Sequence, residues 1–367
     1  MKIETYRGAP FVDREEEIEF FVDWFNEVPQ RILFVYGPKS SGKTTIIEYV
    51  IEKKLLKENR RKKKSKYWVK YLNLREALIA SYGSFLDTCF VEVKEEESEK
   101  EDRVGINVIG FKAEVLHRIR KRQENLFKVF INRIKEIADS GTRPVLIIDE
   151  IQKLRDMYMT NGNRERELLK EFLNFCVRLT KETHLSHVVM LTSNTVFVER
   201  IYNDAKMKKT SLFYKVAHLS KEKVEEWLKL GGFNEKDAEI IWDYLGGCIA
   251  DILRVFSIRK NGKKELKEYL EEQKWLAYTE IDEYLAEFGE KETEFLLKVA
   301  EEIVEKGYFS ISGLKIDRRK LLQKWAEREI LFYDPLELKV TGNSRIYEKG
   351  LELLLERHKA NSQLIEA

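Results

Sequence analysis

An α/β fold with a parallel β-sheet flanked by helices is the architecture that the sequence predicts, followed by a helical region and a small C-terminal module. Apolar runs of strand length occur at residues 32–35, 67–72, 145–148 and 188–191, and segments with helical spacing of apolar residues lie between them. This alternation is typical of sheets built from parallel strands. After Ser220 the apolar runs give way to capped helices. A chain of 367 residues is long enough for two or three domains.

The composition narrows the class of protein. The chain has 66 Lys and Arg against 64 Asp and Glu, a net charge of +2, so any basic surface must be local. Its three cysteines, Cys89, Cys176 and Cys248, lie far apart without a CxxC pair, which argues against a disulfide framework and suits a reducing compartment. The N terminus lacks an apolar signal segment, and no apolar run approaches membrane-spanning length. We therefore expect a cytoplasmic protein.

A glycine-rich loop, GPKSSGKT, follows the first apolar strand and matches the phosphate-binding pattern G-x-x-x-x-G-K-[ST]. Glycines let the backbone wrap around an anion, and N–H groups at the start of the next helix point towards it. Lys43 is expected to reach the β- and γ-phosphates, and the Thr44 hydroxyl to coordinate Mg²⁺. A chance match in a turn is the alternative, but the strand and helix on either side favour nucleotide binding. The expected nucleotide-binding residues of the loop are Gly37, Pro38, Lys39, Ser40, Ser41, Gly42, Lys43, Thr44 and Thr45.

Two carboxylates end a later strand, in the segment PVLIIDEIQ. Asp149 is expected to hold Mg²⁺ beside Thr44, and Glu150 to orient and deprotonate an attacking water. A strand that simply ends in solvated carboxylates is the alternative. The pair downstream of a phosphate-binding loop favours hydrolysis over transfer to a small acceptor.

Polar residues also end the strand in HVVMLTSN. A polar side chain at this strand end can sense the γ-phosphate or position water, as a catalytic group. Asn194 is our choice, and Ser193 is the rival. Polar residues follow most strands, so this pattern alone does not separate the two.

The segments FVDREEEIEFF, GPKSSGKTT, VLIIDEIQKL, VVMLTSN, HLSKEKVEEWL and YLGGCIADILRVF, in this order, resemble the archaeal ATPase family. That family is grouped with the STAND-type NTPases and is close to AAA+ proteins. The resemblance covers about residues 8–260. It implies an ATP-binding core on a P-loop NTPase sheet of the AAA+/STAND-like kind, with ATP or ADP as the bound nucleotide. It also implies an α-helical lid and a C-terminal winged helix. We expect the boundaries to fall at residues 1–217 for the core, 218–288 for the lid and 289–367 for the winged-helix-like domain.

The resemblance also implies residue roles outside the loop. Val12 and Arg14, in the FVDREEE segment, match positions near the nucleotide base. Arg254, in the lid helix, is a possible sensor-2 group, and an ordinary surface arginine on a helix is the alternative. Many relatives have a proline soon after the two glycines of this segment, where this chain has Cys248 and Ile249, which puts a lid contact through that turn in doubt.

An arginine finger, which would reach a neighbouring subunit's γ-phosphate, is the remaining role that the resemblance implies. Arg200 has the head group that suits this role better than lysine does. Its spacing does not decide the matter. The other cations of the segment, which stay open as alternatives, are Lys206, Lys208 and Lys209.

The sequence of the C-terminal module predicts two helices, at about residues 290–306 and 316–328. Two short strands around an Asp334-Pro335 turn follow them. This order predicts a winged helix. Its second helix has four cations that can meet DNA phosphates. They are Arg318, Arg319, Lys320 and Lys324. A module that contacts proteins, or that packs on the ATPase core, is an equal alternative.

Two functions remain from the sequence. The first is a Mg²⁺-dependent ATPase in which Glu150 activates water and hydrolysis drives a conformational switch. The second is a slow-turnover module in which bound nucleotide gates a DNA or protein partner. Oligomerisation is possible in either case.

Overall fold

The fold is described from a computed structural model, which covers residues 5–6, 9–10, 14–56, 66–75, 82–92, 109–111, 113–121, 125–155, 157–161, 164–261 and 265–366. The strands are β1 (Thr5–Tyr6), β2 (Ala9–Pro10), β3 (Ile32–Tyr36), β4 (Tyr67–Asn73), β5 (Phe90–Glu92), β6 (Ile109–Phe111), β7 (Arg143–Asp149), β8 (Tyr158–Asn161), β9 (Arg164–Glu167), β10 (His187–Thr192), β11 (Ser211–Lys215), β12 (Phe309–Ser310), β13 (Leu331–Asp334) and β14 (Lys339–Gly342). The helices are α1 (Glu15–Asn26), α2 (Lys43–Tyr49), α3 (Tyr82–Cys89), α4 (Ala113–Arg120), α5 (Leu126–Asp139), α6 (Leu168–Val177), α7 (Thr195–Asn203), α8 (Ala205–Thr210), α9 (Lys221–Leu230), α10 (Glu235–Leu245), α11 (Ile249–Asn261), α12 (Leu266–Leu285), α13 (Glu290–Lys306), α14 (Ile316–Glu327) and α15 (Arg345–Glu366).

The central sheet has five strands in the order β11-β3-β10-β7-β4, and every pairing in it is parallel. The strands β3 and β10 are buried along their whole length, as expected for interior strands covered on both faces. The parallel sheet and its four predicted strands are confirmed, and β11 adds a fifth strand beside β3. The carboxyl ends of β3, β7 and β10 meet at one edge, which is where open α/β sheets bind ligands.

Two hydrophobic cores lie on opposite faces of this sheet. Successive strand residues alternate between them, so that Ile148 packs with α5 and α6 while Ile147 packs with α1 and α2. Aromatic side chains fill both layers, with Phe130 on the first face and Phe21 on the second. Burial of this apolar surface is the main term that holds the sheet and its helices together.

A helical region, α9 to α12, follows the sheet and packs around Trp227. Gly247 joins α10 to α11 at a point of close approach, because a Cβ atom there would lie 1.9 Å from the carbonyl oxygen of Leu219. A side chain at Gly247 would therefore push the helical region away from the sheet.

The C-terminal unit, from α13 to α15, contains a three-stranded antiparallel sheet in the order β12-β14-β13. Its own core includes Trp325 and Tyr333. The two helices and the hairpin around Asp334 lie where the sequence predicts them. The winged-helix assignment itself stays a prediction.

Residues 216–219, between β11 and α9, contact four separate parts of the chain. Each of these residues takes part in one hydrogen bond: Val216 N to Tyr36 O at 2.8 Å, the Arg14 guanidinium to Ala217 O at 3.0 Å, His218 Nε2 to Asn343 O at 3.0 Å, and Leu219 N to Gly247 O at 3.1 Å. The phosphate-loop strand, the N-terminal helix, the C-terminal unit and the helical region thus converge here. Among the residues described, no helix is both long enough and apolar enough to cross a membrane.

Candidate functional site

The glycine-rich loop between β3 and α2 has a backbone that few side chains would permit. Gly42 has a φ of 89° and Ser40 a φ of 60°, both in the left-handed region. A Cβ atom on Gly37 would lie 2.1 Å from the carbonyl oxygen of Val216. Glycine at positions 37 and 42 is therefore needed for the loop to turn sharply into α2. Thr45 follows on the exposed side of that helix.

Lys43 lies inside the loop and is 9% exposed. Its Nζ donates to the carbonyl oxygens of Gly37 at 3.0 Å and Pro38 at 2.8 Å. Burial lowers the pKa of Lys43 to about 8, although the carboxylates of Asp149 and Glu150 act against this lowering. The loop therefore holds a cation at its centre, next to two acidic groups.

Three oxygen-bearing side chains meet at the end of β7. The Asp149 carboxylate accepts hydrogen bonds at Oδ2 from the Thr44 hydroxyl at 2.9 Å and from the Tyr71 hydroxyl at 2.6 Å. Burial and the charge of Asp149 raise the pKa of Tyr71, which keeps this phenol a hydrogen-bond donor. The hydroxyl and carboxylate oxygens of Thr44 and Asp149 are the kind of ligand that Mg²⁺ prefers. The structure thus brings together the two residues that the sequence assigned to the metal.

Glu150 adopts a left-handed backbone with a φ of 60°, which is unusual for a residue with a side chain. Its N–H donates to Leu191 O at 3.1 Å, so the neighbouring strand β10 fixes this conformation. Its carboxylate contacts Arg75 at 2.7 Å through Oε1 and Gln152 at 2.6 Å through Oε2. Strained backbone of this kind often occurs at functional sites.

A chain of hydrogen bonds links Glu150 to the end of β10. Gln152 accepts from the Thr192 hydroxyl at 2.9 Å, and Thr192 in turn accepts from the Asn194 N–H at 3.0 Å. The Asn194 side-chain oxygen accepts from Phe197 N at 2.9 Å and caps α7. Thr192 is therefore the side chain of this strand end that joins the Glu150 network. The catalytic assignment of Asn194, with Ser193 as its rival, stays a prediction.

Arg14 lies against the loop and is 6% exposed. Its guanidinium donates to Ser41 O at 2.7 Å, to Ala217 O at 3.0 Å and to the Glu17 carboxylate at 2.5 Å. It therefore ties the loop to the segment that leads into the helical region. The base-proximal role of Arg14 stays a prediction, and Val12 lies outside the described residues.

The helix α11 also contacts the glycine-rich loop. The Ile249 side chain would lie 3.0 Å from a Cβ atom on Gly42, so it contacts the loop where many relatives are expected to have proline. Further along the helix, Arg254 lines a cavity of about 280 Å³ together with Lys39 and Ser40 of the loop. The possible sensor Arg254 thus shares a cavity with the loop.

Arg200, the possible finger, lies on α7 with 55% of its side chain exposed and pairs with Glu167 at 3.2 Å. Of the alternatives, Lys206 donates to Asn174 at 2.6 Å and Lys208 lies over the Tyr202 ring. None of these contacts involves the loop of the same chain, and the finger assignment stays a prediction.

Four residues of the site were missed by sequence reasoning, namely Tyr71, Arg75, Gln152 and Thr192. Tyr71 and Thr192 end up beside Asp149 and Glu150 because β4 and β10 flank β7 in the sheet. Gln152 lies two residues after Glu150. It is the only one of these four residues that its position in the sequence could have indicated as a neighbour of the acidic pair.

A parallel sheet with a lysine-filled phosphate loop and an acidic strand end beside it defines the class of P-loop nucleotide-binding proteins. The chain belongs to the family described as an ATPase domain predominantly from Archaea, whose sequence model matches residues 11–255. The family that the sequence motifs resemble is thereby confirmed.

Relatives of similar length support this membership. An uncharacterized ATP-binding protein of Methanocaldococcus jannaschii is 32% identical over 330 residues, which cover 80% of this chain and 88% of that protein. An uncharacterized ATP-binding protein of Pyrococcus abyssi is 33% identical over 360 residues, covering 96% and 99%. The fold is similar to that of the Aeropyrum pernix ORC2 protein, solved as ADPNP–ADP complexes, with a TM-score of 0.53, 10% identity and coverage of 98% and 97%. This last likeness concerns the fold alone, and it agrees with the AAA+-like sheet that the sequence predicts.

Proposed function

We propose that the protein binds Mg·ATP at the loop 37–44 and hydrolyses it to ADP and phosphate. The observation that supports this most is the contact of Thr44 with Asp149 beside the buried ammonium of Lys43. Glu150 follows Asp149 directly, so a carboxylate suited to accept a proton from water lies next to the same cluster. Membership of an ATPase family and the ATP-binding names of its relatives point to the same nucleotide.

In this proposal each residue has a separate task. Lys43 leaves the carbonyl oxygens of Gly37 and Pro38 and donates to the β- and γ-phosphates instead. Thr44 and Asp149 hold a Mg²⁺ ion, which when bound supplies positive charge to the phosphate oxygens. Tyr71 orients the Asp149 carboxylate through its hydrogen bond. Glu150 takes the proton from the attacking water after its carboxylate has left Arg75.

The protein would act as a switch because the loop contacts both the helical region and the C-terminal unit. We take residues 1–217 as the ATPase core, 218–288 as its lid and 289–367 as the unit whose position the nucleotide controls. Ile249 of the lid contacts Gly42, and Lys39 of the loop pairs with Glu329 of the C-terminal unit. A change in the phosphates held by the loop would therefore alter contacts to both. A DNA or protein partner would bind the C-terminal unit in one of these states.

The first test is phosphate release from Mg·ATP by the wild type and by Glu150→Gln. We expect turnover to fall by about 100-fold or more, because general bases contribute this much to proton transfer. Binding of ATP, measured with a fluorescent analogue, should persist in the variant. Glu136→Gln on the exposed face of α5 is the matched control and should retain wild-type turnover.

The outcomes separate the two functions. Equal turnover in wild type and Glu150→Gln would contradict the role of Glu150 as the base. Bound nucleotide with negligible turnover in both proteins would instead support a nucleotide-gated binding module. Absence of nucleotide binding by the wild type would contradict both functions.

A further inference from the structure

The C-terminal unit packs against the edge of the sheet that carries the phosphate loop. The Asp334 carboxylate, 2% exposed, accepts from the Tyr36 hydroxyl at 3.4 Å and pairs with Lys215 at 2.9 Å. Tyr36 ends β3 and Lys215 ends β11, so this carboxylate lies at the strand ends next to the loop. Phe332 packs against Tyr36 in the same contact. A buried contact thus holds the unit beside the loop.

One carboxylate of this unit reaches the loop itself. Glu329 pairs through Oε2 with the Lys39 ammonium. It also lines the cavity that Lys39, Ser40 and Arg254 border. Two cations, one from the loop and one from α11, therefore share this cavity with a carboxylate from the C-terminal unit. The negative charge of Glu329 is among those that oppose the lowering of the Lys43 pKa by burial, so it acts within the loop as well.

The backbone at Glu329 is unusual and fixes where its side chain starts. Its φ is 63°, in the left-handed region just after α14. Its N–H donates to Ala326 O at 3.0 Å, and the N–H of the fully buried Ile330 donates to Trp325 O at 3.1 Å. Glycine is the usual residue at this place, because it adopts the conformation without strain. A glutamate here keeps the strain and supplies the carboxylate that glycine would lack.

We propose that Glu329 is a specificity-determining residue that opposes binding of a third phosphate group and thereby favours a nucleoside diphosphate over a triphosphate. The inference rests on the proposed function, because it requires nucleotide at the loop. A γ-phosphate adds negative charge next to Lys39 and Lys43, where the Glu329 carboxylate already stands. The third phosphate and the Glu329 carboxylate are both negative and would lie beside the same lysine, so they repel each other. The triphosphate therefore binds fully only when Glu329 leaves Lys39.

The test compares the affinities for Mg·ADP and for a non-hydrolysable Mg·ATP analogue by titration calorimetry. The proteins are the wild type, Glu329→Gln, Glu329→Gly and the control Glu327→Gln, which removes a carboxylate two residues away that pairs with Arg155 at 3.6 Å. We expect the ratio of analogue affinity to ADP affinity to rise roughly five- to tenfold in both Glu329 variants. The control should keep the wild-type ratio. A ratio of affinities is insensitive to a loss of folded protein common to both titrations.

Other results would overturn the inference. An unchanged ratio in both Glu329 variants would show that the carboxylate does not oppose the third phosphate. A rise in Glu329→Gly alone would assign the effect to relief of backbone strain. A rise of equal size in Glu327→Gln would assign it to general surface charge. If the wild type bound neither nucleotide, the proposed function would fail too, whereas binding with an unchanged ratio would leave that function standing.

Discussion

Glu150 meets the ion-pair partner Arg75 on one carboxylate oxygen and Gln152 on the other. In the proposed mechanism Glu150 is the general base and must turn towards water, so its pair with Arg75 would have to open before reaction. The Arg75 side chain is 57% exposed, and exposed ion pairs contribute only about 0–1 kcal/mol. The restraint on Glu150 is therefore weak enough to be released in each cycle of the proposed hydrolysis.

Replacing Arg75 tests this restraint. We expect Arg75→Gln to raise basal phosphate release about two- to fivefold, because the Glu150 carboxylate then turns to water without first breaking an ion pair. Steady-state phosphate release at saturating Mg·ATP is the measurement. Arg133→Gln, which removes a partly exposed arginine from an ion pair with Glu136, is the control and should leave the rate unchanged. A lower rate in Arg75→Gln would show that Arg75 positions Glu150 for reaction.

The sequence predicted one half of this site and missed the other for a physical reason. Lys43, Thr44, Asp149 and Glu150 lie in two segments whose residue spacing alone indicates their chemistry. Arg75 lies in a third segment, just after β4. It reaches Glu150 because Asn73 of β4 pairs with Asp149 of β7. That pairing depends on the order of strands in the sheet, which periodicity of single segments does not reveal.

At the scale of elements, α14 contacts the core through a glutamate. Glu199 of α7 accepts from the Tyr333 hydroxyl at 2.9 Å and pairs with Arg319 at 3.4 Å. The sequence proposed Arg319 as a phosphate contact for DNA, and in this arrangement it faces α7. Arg318 lies over the ring of Phe295 in α13, and Lys324 lies over the ring of Phe288, just before that helix. Packing on the core, one of the alternatives left open, is the use that these contacts favour for Arg319.

A double-mutant cycle measures the strength of this contact. We expect Glu199→Gln and Tyr333→Phe each to lower the free energy of unfolding by about 1–2 kcal/mol, because each removes part of a hydrogen bond to a charged group. Their combined effect should fall short of the sum by about 1 kcal/mol. Glu302→Gln, which removes an exposed pair with Lys306, is the control. Strict additivity would mean that Glu199 and Tyr333 do not interact in solution.

Element types were largely predictable, whereas the contacts between elements were not. The glycine pairs after α9 and α10 and the turn at Asp334 are local signals, and they occur where the chain ends a helix or reverses direction. The docking of β13 on β3 depends on Asp334 finding Lys215 and Tyr36, which lie far away in sequence. A buried aspartate in a turn has a satisfactory local explanation as a turn residue, so nothing in the sequence marked it as an anchor.

Considered as a whole, the molecule should become less stable in mild acid. Burial lowers the pKa of His218 to about 4, and the nearby charges of Lys43 and Arg14 also disfavour its protonation. In the unfolded chain the pKa of histidine is about 6.5, so below that pH the unfolded state binds a proton that the folded state does not. Stability is therefore highest above pH 6.5 and falls as the pH decreases towards 4. His187, whose pKa burial also lowers to about 4, acts in the same direction.

The expected loss attributable to His218 between pH 7 and pH 5 is about 2 kcal/mol. Denaturant unfolding at the two pH values measures it. His218→Gln should reduce the difference by this amount, since glutamine can still donate to the Asn343 carbonyl but does not titrate. His358→Gln, at an exposed position of α15, should retain the wild-type difference. Equal acid sensitivity of wild type and His218→Gln would contradict the assignment.

Residues 216–219 give the molecule a mechanical property that no single contact provides. Val216 and Ala217 hydrogen-bond to the core, whereas His218 bonds to the C-terminal unit and Leu219 to the helical region, so three bodies share one short segment. A rotation of the helical region relative to the core would change backbone torsions of this segment, and the contact to the C-terminal unit depends on the same torsions. Inserting a glycine between Ala217 and His218 would weaken this coupling. The helical region and the C-terminal unit could then move independently, even though every side chain of the proposed nucleotide site would still be present.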